Sequence, residues 1–289
     1  MASTERALTP LGDAQIEHWR TEGFVAVPGF FESREVRALQ AGIEELKTAG
    51  KFFNVATDGD GDTHIDTKQN LQICPLSFHH PLFRAMAFHP KVRAAAGQLL
   101  GDSVYKFQDQ AVLKPAGVGS ATNWHQDNYY FEVRDTLKGT AMWTAVHDAT
   151  VANGTIGMVP RSFAALMPHR RDLESDHDRR CFPAEDERVP IELKAGGVVF
   201  FSLGTAHGTG PNTTAKQRAG VAWHFLNDAH VSRELALARP HPTLGFPTFA
   251  RPGEEGGPYV VGDKYTAGER EYGCNMEDAL AAEIDRLQA

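Results

Sequence analysis

Between Val104 and Leu226 the chain is cut into short apolar or alternating segments by Gly, Pro and Asn turns, and this rhythm constrains the fold more than any other feature. Val104 to Lys114, Gly139 to Asp148, Thr155 to Val159, Gly197 to Ser202 and Arg218 to Leu226 each predict a strand. Strands this short and this frequent predict a mainly β fold with flanking helices, built on a double-stranded β-helix of the jelly-roll or cupin-like type.

The flanks read as helical. Gly12 to Glu22 predicts a helix stopped by Gly23, and a short strand, Phe24 to Val27, follows it. Ser33 is the expected cap of a second helix ending near Gly50, and Pro81 to Leu100 predicts helix in two pieces broken near His89-Pro90. Asp58 to Asp62 reads as a solvated acidic loop, because the spacing and terminal Glu of a calcium loop are missing. His64 to Gln72 is expected to be a polar, lid-like loop. Pro168 to Val189, rich in Arg, Asp and Glu, is expected to be a surface excursion. The tail Pro240 to Gly262 is rich in Pro and Gly, and Met276 to Leu287 predicts a last helix. No repeat or strong boundary divides the 289 residues, so a single domain over 1–289 is expected. It comprises a helical region over about 1–100, the jelly roll over about 101–230 and an extension with a helix over about 231–289.

A net charge of −8 without a long basic run argues against nucleic acid as a partner. No apolar window reaches the roughly 18 residues of a membrane span, and no secretory leader is visible, so no membrane partner is expected. Cys74, Cys181 and Cys274 are few, odd in number and far apart, which predicts no disulfide framework and a reducing cytoplasm. The oligomeric state is left open.

The chemistry gathers at Asn123-Trp124-His125-Gln126-Asp127-Asn128. On a strand or strand end, residues i and i+2 face the same side, so His125 and Asp127 can offer an imidazole nitrogen and a carboxylate oxygen to one metal. His207, between flexible glycines and just after the strand Gly197 to Ser202, is the best third ligand. Two histidines and one carboxylate leave three open positions, the facial triad of non-haem iron(II) oxygenases. A second His-x-Asp, His64-Ile65-Asp66, lies in a polar stretch with no strand pattern before it. His79, His80, His147 and His169 read as packed or surface histidines. Arg218, eleven residues after His207 on the next strand, suits a carboxylate such as the distal end of 2-oxoglutarate. Asn128, Tyr129 and Tyr130 either border a substrate pocket or pack within the strand region.

These stretches resemble the phytanoyl-CoA dioxygenase family, which also includes ectoine hydroxylases and many bacterial natural-product oxygenases. The matching segments are Gly23 to Phe30, Leu113-Lys114-Pro115, Trp124 to Asp127, Asn153-Gly154 with Met158-Val159-Pro160, and His207 to Thr213 followed by Arg218. The resemblance implies iron(II), with 2-oxoglutarate and dioxygen as cosubstrates and succinate and carbon dioxide as products. It implies further that Thr209 supports Arg218, that Trp143 packs in the cosubstrate pocket and that Lys68 lies near the cosubstrate. Gln108 and Gln110 share one strand face, Gln110 toward the cosubstrate and Gln108 toward the substrate. Asp127 argues against halogenation, because halogenases of this type lack the carboxylate. The family's usual Pro-Gly-Ser-His is here Pro160-Arg161-Ser162-Phe163, which weakens the transfer of any close relative's substrate. A small soluble metabolite is preferred to an acyl-CoA, whose phosphates would need Arg170, Arg171, Arg179 and Arg180 free of the neighbouring acids. The rival readings are a cupin-type isomerase or hydrolase that ignores 2-oxoglutarate, and a non-catalytic jelly-roll binding domain.

Overall fold

The computed structural model describes residues 8–176, 179–230, 259–262 and 265–288. Helix α1, Asp13–Glu22, ends on Gly23, whose φ of 86° is the left-handed conformation glycine adopts most easily. Strand β1, Phe24–Val27, leads to α2, Ser33–Thr48. The cap of α2 is Glu32 rather than Ser33: the Glu32 N–H donates to Glu35 Oε2 at 2.7 Å, so an acid closes the first turn instead of a hydroxyl. Strands β2, Phe53–Asn54, and β3, Leu71–Ile73, precede α3, Pro81–Met86, and α4, Pro90–Leu100. Proline at the first position of both α3 and α4 accounts for the break.

The barrel strands follow: β4, Val104–Lys114; β5, Thr122–His125; β6, Gly139–Ala145; β7, Ile156–Met158. The short helix α5, Asn128–Phe131, lies between β5 and β6. Next come β8, Arg170–Arg171; β9, Arg179–Arg180; β10, Val189–Pro190; β11, Val198–Ser202; β12, His207–Thr209; and β13, Arg218–Asn227. Strand β14, Tyr259–Val261, helix α6, Tyr265–Tyr272, and helix α7, Met276–Arg286, complete the described chain.

The large sheet runs β1-β11-β6-β13-β4-β3-β2, with β14 also on β4, and the small one runs β10-β7-β12-β5. The two enclose a jelly-roll interior. Large-sheet strands are buried on both faces. Ala111, Val221, Trp223 and Phe225 pack outward against α2, α3 and α4, and Ala141, Trp143, Val199 and Ala222 pack inward with Ile156 and Met158 of the small sheet. That double burial explains why β6 and β13 read as continuous apolar runs.

Some expectations need correction. β6 stops at Ala145, three residues early, because Asp148 accepts the Ala195 N–H in a turn. The supposed lid is in part sheet: Leu71 and Gln72 belong to β3, paired with β4. The insert 168–189 is not merely a surface excursion. It forms the β8–β9 hairpin, buries Asp172, Ser175 and Cys181, and hydrogen-bonds the edge strand β5. Strand β14 and helix α6 had no expectation. Most of the Pro- and Gly-rich tail, 240–258, lies outside the described residues. Among the described residues no helix is long and apolar enough to cross a membrane.

Helix α7 is fastened by Arg286, which donates to both carboxylate oxygens of Glu45 on α2 at 2.8 and 2.9 Å. Arg286 thereby lowers the Glu45 carboxyl from 4.5 to about 2. A depressed acid contributes stability above its unfolded value and loses it as pH falls through its folded value. Arg286→Ala should therefore cost about 0.2–1 kcal/mol at neutral pH, the range for a solvent-exposed pair. The difference from wild type should shrink between pH 4.5 and about 2 in urea unfolding measured across pH.

Candidate metal centre

β12 pairs with β5 so that His207 lies directly opposite His125. The ring centroids are 4.2 Å apart, and both residues are buried. Asp127 arrives differently from expectation. β5 ends at His125, and Asp127 has helical backbone angles at the N-cap of α5, so a turn, not strand alternation, swings its carboxylate inward. Its Oδ1 lies 3.6 Å from His125 Nε2 and 3.8 Å from His207 Nε2. One ligand atom from each residue falls within 4.8 Å of the other two, and no other such group of His, Cys, Asp or Glu occurs among the described residues.

Each imidazole is oriented in the same way. His125 Nδ1 bonds the Asn123 carbonyl at 2.9 Å, and His207 Nδ1 bonds that of Thr205 at 3.0 Å. With hydrogen on Nδ1, the Nε2 lone pairs face Asp127, as metal ligation requires. Burial, reinforced by His125, lowers His207 to about 4, so it is neutral at physiological pH. Burial works against the Asp127 charge, but the neighbouring histidines, His207 foremost, hold its carboxyl well below the usual range. Gln126 locks the loop from behind. Its Nε2 donates to the carbonyls of Ala165 at 2.9 Å and Gly204 at 2.6 Å, and its Oε1 accepts the Met167 N–H at 2.7 Å.

A second feature lies deeper. Arg218 is fully buried, and its Nη2 donates to the Gly154 carbonyl, while Nη1 has no hydrogen-bond partner. No described carboxylate pairs with it. Burial lowers it to about 9, so it remains charged at neutral pH. Directly across the ladder stands Lys114, also fully buried. Burial and then Arg218 hold the Lys114 ammonium well below the lysine range. Lys114 Nζ donates to the Ser120 carbonyl, so both buried cations have carbonyl partners but no described carboxylate, an arrangement that suits an anion. Trp143 lies beside it, with the Arg218 guanidinium 5.7 Å from the ring centroid. Gly220 makes room for that ring: a Cβ there would come within 2.6 Å of it.

The other expected residues are distributed unevenly. Gln108 and Gln110 share the inward face of β4, opposite His224 and Ala222. Thr209 Oγ1 accepts the Thr122 N–H at 3.1 Å and ties β12 to β5, while the described hydrogen bonds of Arg218 go to the Asn153 and Gly154 carbonyls. Lys68 is not brought to Arg218 either. It pairs with Glu174 at 3.0 Å and is half exposed, because the insert offers it a nearer acid. Asn128 closes its own loop through the Val133 N–H at 2.7 Å, Tyr129 stacks on His169 at 4.4 Å, and the Tyr130 hydroxyl meets the Arg179 backbone at 3.2 Å. His64 is exposed and bonds the Asn54 carbonyl, so the second His-x-Asp assembles no site. Of the remaining histidines, His80 caps α3, and His147 accepts the Ala219 N–H. Sequence reasoning missed Lys114 and His224. Both were reachable by counting in twos: Lys114 from Gln108 and Gln110, and His224 from Arg218.

A jelly roll with a buried His-Asp-His triad and a buried arginine defines a class, the non-haem iron(II), 2-oxoglutarate-dependent dioxygenases. The phytanoyl-CoA dioxygenase (PhyH) family model matches residues 19–220, and the chain belongs to that family. It is 25% identical over 226 residues to an ectoine dioxygenase of Bordetella parapertussis, covering 72% of each chain. It is 24% identical over 285 residues to phytanoyl-CoA dioxygenase domain-containing protein 1 of Mus musculus, covering 82% of this chain and 98% of that one. Among solved structures, the epimerase SnoN in complex with Fe3+, alpha ketoglutarate and nogalamycin RO superposes with a TM-score of 0.65 at 23% identity, covering 87% of this chain and 96% of that one. EctD from S. alaskensis with 2-oxoglutarate and 5-hydroxyectoine gives 0.61 at 20%, covering 80% of each.

Cobalt(II) titration should show one tight site in the wild type. Asp127→Ala should weaken it by more than about 100-fold, beyond the loss typical of an outer-sphere partner, and His64→Ala should leave it unchanged.

Proposed function

We propose that His125, Asp127 and His207 hold iron(II), that Arg218 and Lys114 receive the distal carboxylate of 2-oxoglutarate, and that the chain hydroxylates a C–H bond of a small polar metabolite. The observation that carries this reading is the buried Arg218 with an unpartnered Nη1 and, among the described residues, no carboxylate beside it. A cupin-type isomerase or hydrolase would not need an arginine at this spacing from His207. Iron(II) held by these three residues would supply dioxygen activation for a reaction whose balance is one oxygen atom into succinate, one into the product, and carbon dioxide released. The protein's part is to fix the ligands, orient the keto acid along the inward face of β13 and exclude water. Trp143 and Gln110 border the same interior and fit as walls of the cosubstrate pocket. No general base is needed.

The substrate reading rests on the surroundings. A cavity of about 680 Å³ lies between the edge of the small sheet and the insert, lined by Asn123, Thr209, Asp172 and Arg180 among others. Asn123 is two residues before His125 and keeps a buried, unpartnered Oδ1. Trp124, Phe182 and Pro211 complete a mixed lining, in which Asp172 and Arg180 offer charge to a polar small molecule. The insert arginines do not favour an acyl-CoA. Arg171 bonds the Gly61 carbonyl, Arg180 pairs with Asp172, and Arg170 and Arg180 lie over Phe182. The three cysteines are free, which supports a reducing, cytoplasmic setting.

The test is succinate formation from 2-oxoglutarate under air by the iron(II)-loaded protein. Wild type should show slow turnover even without its substrate, and His207→Ala should show none. Arg218→Ala should weaken 2-oxoglutarate binding by about 30-fold or more, as losing one partner of a buried charge pair costs at least about 2 kcal/mol. Wild type that binds metal but not 2-oxoglutarate would refute the oxygenase reading.

A further inference from the structure

His224 lies outside the triad, yet it is placed to decide how the triad's carboxylate is used. It stands six residues after Arg218 on β13, on the same inward face. The ring is 2% exposed and wedged against Phe107 and Phe131, with both centroids at 5.9 Å. Its Nε2 is 3.3 Å from Asp127 Oδ2. The Asp127 carboxylate is thereby divided: Oδ1 faces the Nε2 atoms of His125 and His207, and Oδ2 faces His224. Neither Oδ2 nor His224 Nδ1 has a hydrogen-bond partner, so the 3.3 Å approach of His224 Nε2 is the polar contact available to Oδ2.

Coordination chemistry gives this division a meaning. A carboxylate with both oxygens free can chelate, taking two of six positions on an octahedral ion. Bidentate 2-oxoglutarate and dioxygen together need three, which leaves Asp127 only one. Resting on the iron reading above, we infer that His224 is a positioning residue: its Nε2–H holds Oδ2 so that Asp127 binds the metal through Oδ1 alone. The aromatic wedge fixes the ring, and the strand's parity keeps it in line with Arg218, so one strand governs both ends of the cosubstrate's seat.

The test compares His224→Phe, which fills the space without a donor, with His224→Gln, which restores an N–H donor. Two readouts are taken anaerobically: metal affinity by cobalt(II) titration, and the charge-transfer absorption of the iron(II)–2-oxoglutarate complex per bound iron. His224→Phe is expected to weaken metal binding about 10–100-fold and diminish the band, because a chelating carboxylate competes with the keto acid. His224→Gln is expected to recover both. A packing role would leave the band per bound iron unchanged, or would make Gln no better than Phe, and either result overturns the inference. If His224→Phe fails to fold, His224→Gln carries the test: near-wild-type affinity and band support the inference, and loss of either overturns it. Wild type that binds no metal refutes the iron reading and this inference together. Wild type that binds normally beside unaltered variants refutes the inference alone.

Discussion

The direct pairing of β12 with β5 is the contact on which the site depends. These are short strands, yet their register sets His207 opposite His125, and a slip of one residue would turn one imidazole to the outer face. Gln126 then prevents the following turn from relaxing, because its side chain is tied to two separate backbone stretches, 162–167 and Gly204. Buried and fully used, it is the peg that lets Asp127 leave the strand and still meet the histidines.

The chain's order of short strands was legible because a double-sided barrel needs apolar runs of strand length, and β4, β6, β11 and β13 supply them. The triad and Arg218 were legible as residue types whose spacing suits one chemistry. What failed depends on partners distant in sequence. Lys68 looks like a cosubstrate lysine until Glu174, over a hundred residues away, is placed beside it. The contact of Thr209 Oγ1 with the Thr122 N–H is equally non-local, since only the β12–β5 ladder brings the two together. The helical turn at Asp127 has no local signature, because its stability comes from the Gln126 network rather than from propensity.

The insert illustrates the same limit. Its charges predict a solvated excursion, but its backbone is used by β5. The Cys181 N–H donates to the Trp124 carbonyl at 2.7 Å, and Asn123 Nδ2 donates to the Arg179 carbonyl at 2.8 Å. β5 is the edge of the small sheet, and an uncovered edge next to a metal site would be open to water and to other chains. Covering it also brings Asp172 close enough for its charge to act on His125.

Lys114 and Arg218 side by side carry a consequence for the life of the protein in a cell. An anion seated between them relieves a charge problem that folding alone leaves in the core. On the proposed reading that anion is a central metabolite, so the folded state is drawn on by its concentration, gaining about 2.7 kcal/mol when the ligand stands at a hundred times its dissociation constant. The amount of intact protein, and not only its rate, would then follow the supply of the keto acid: a cell short of it would hold less of the enzyme, without any dedicated regulatory site.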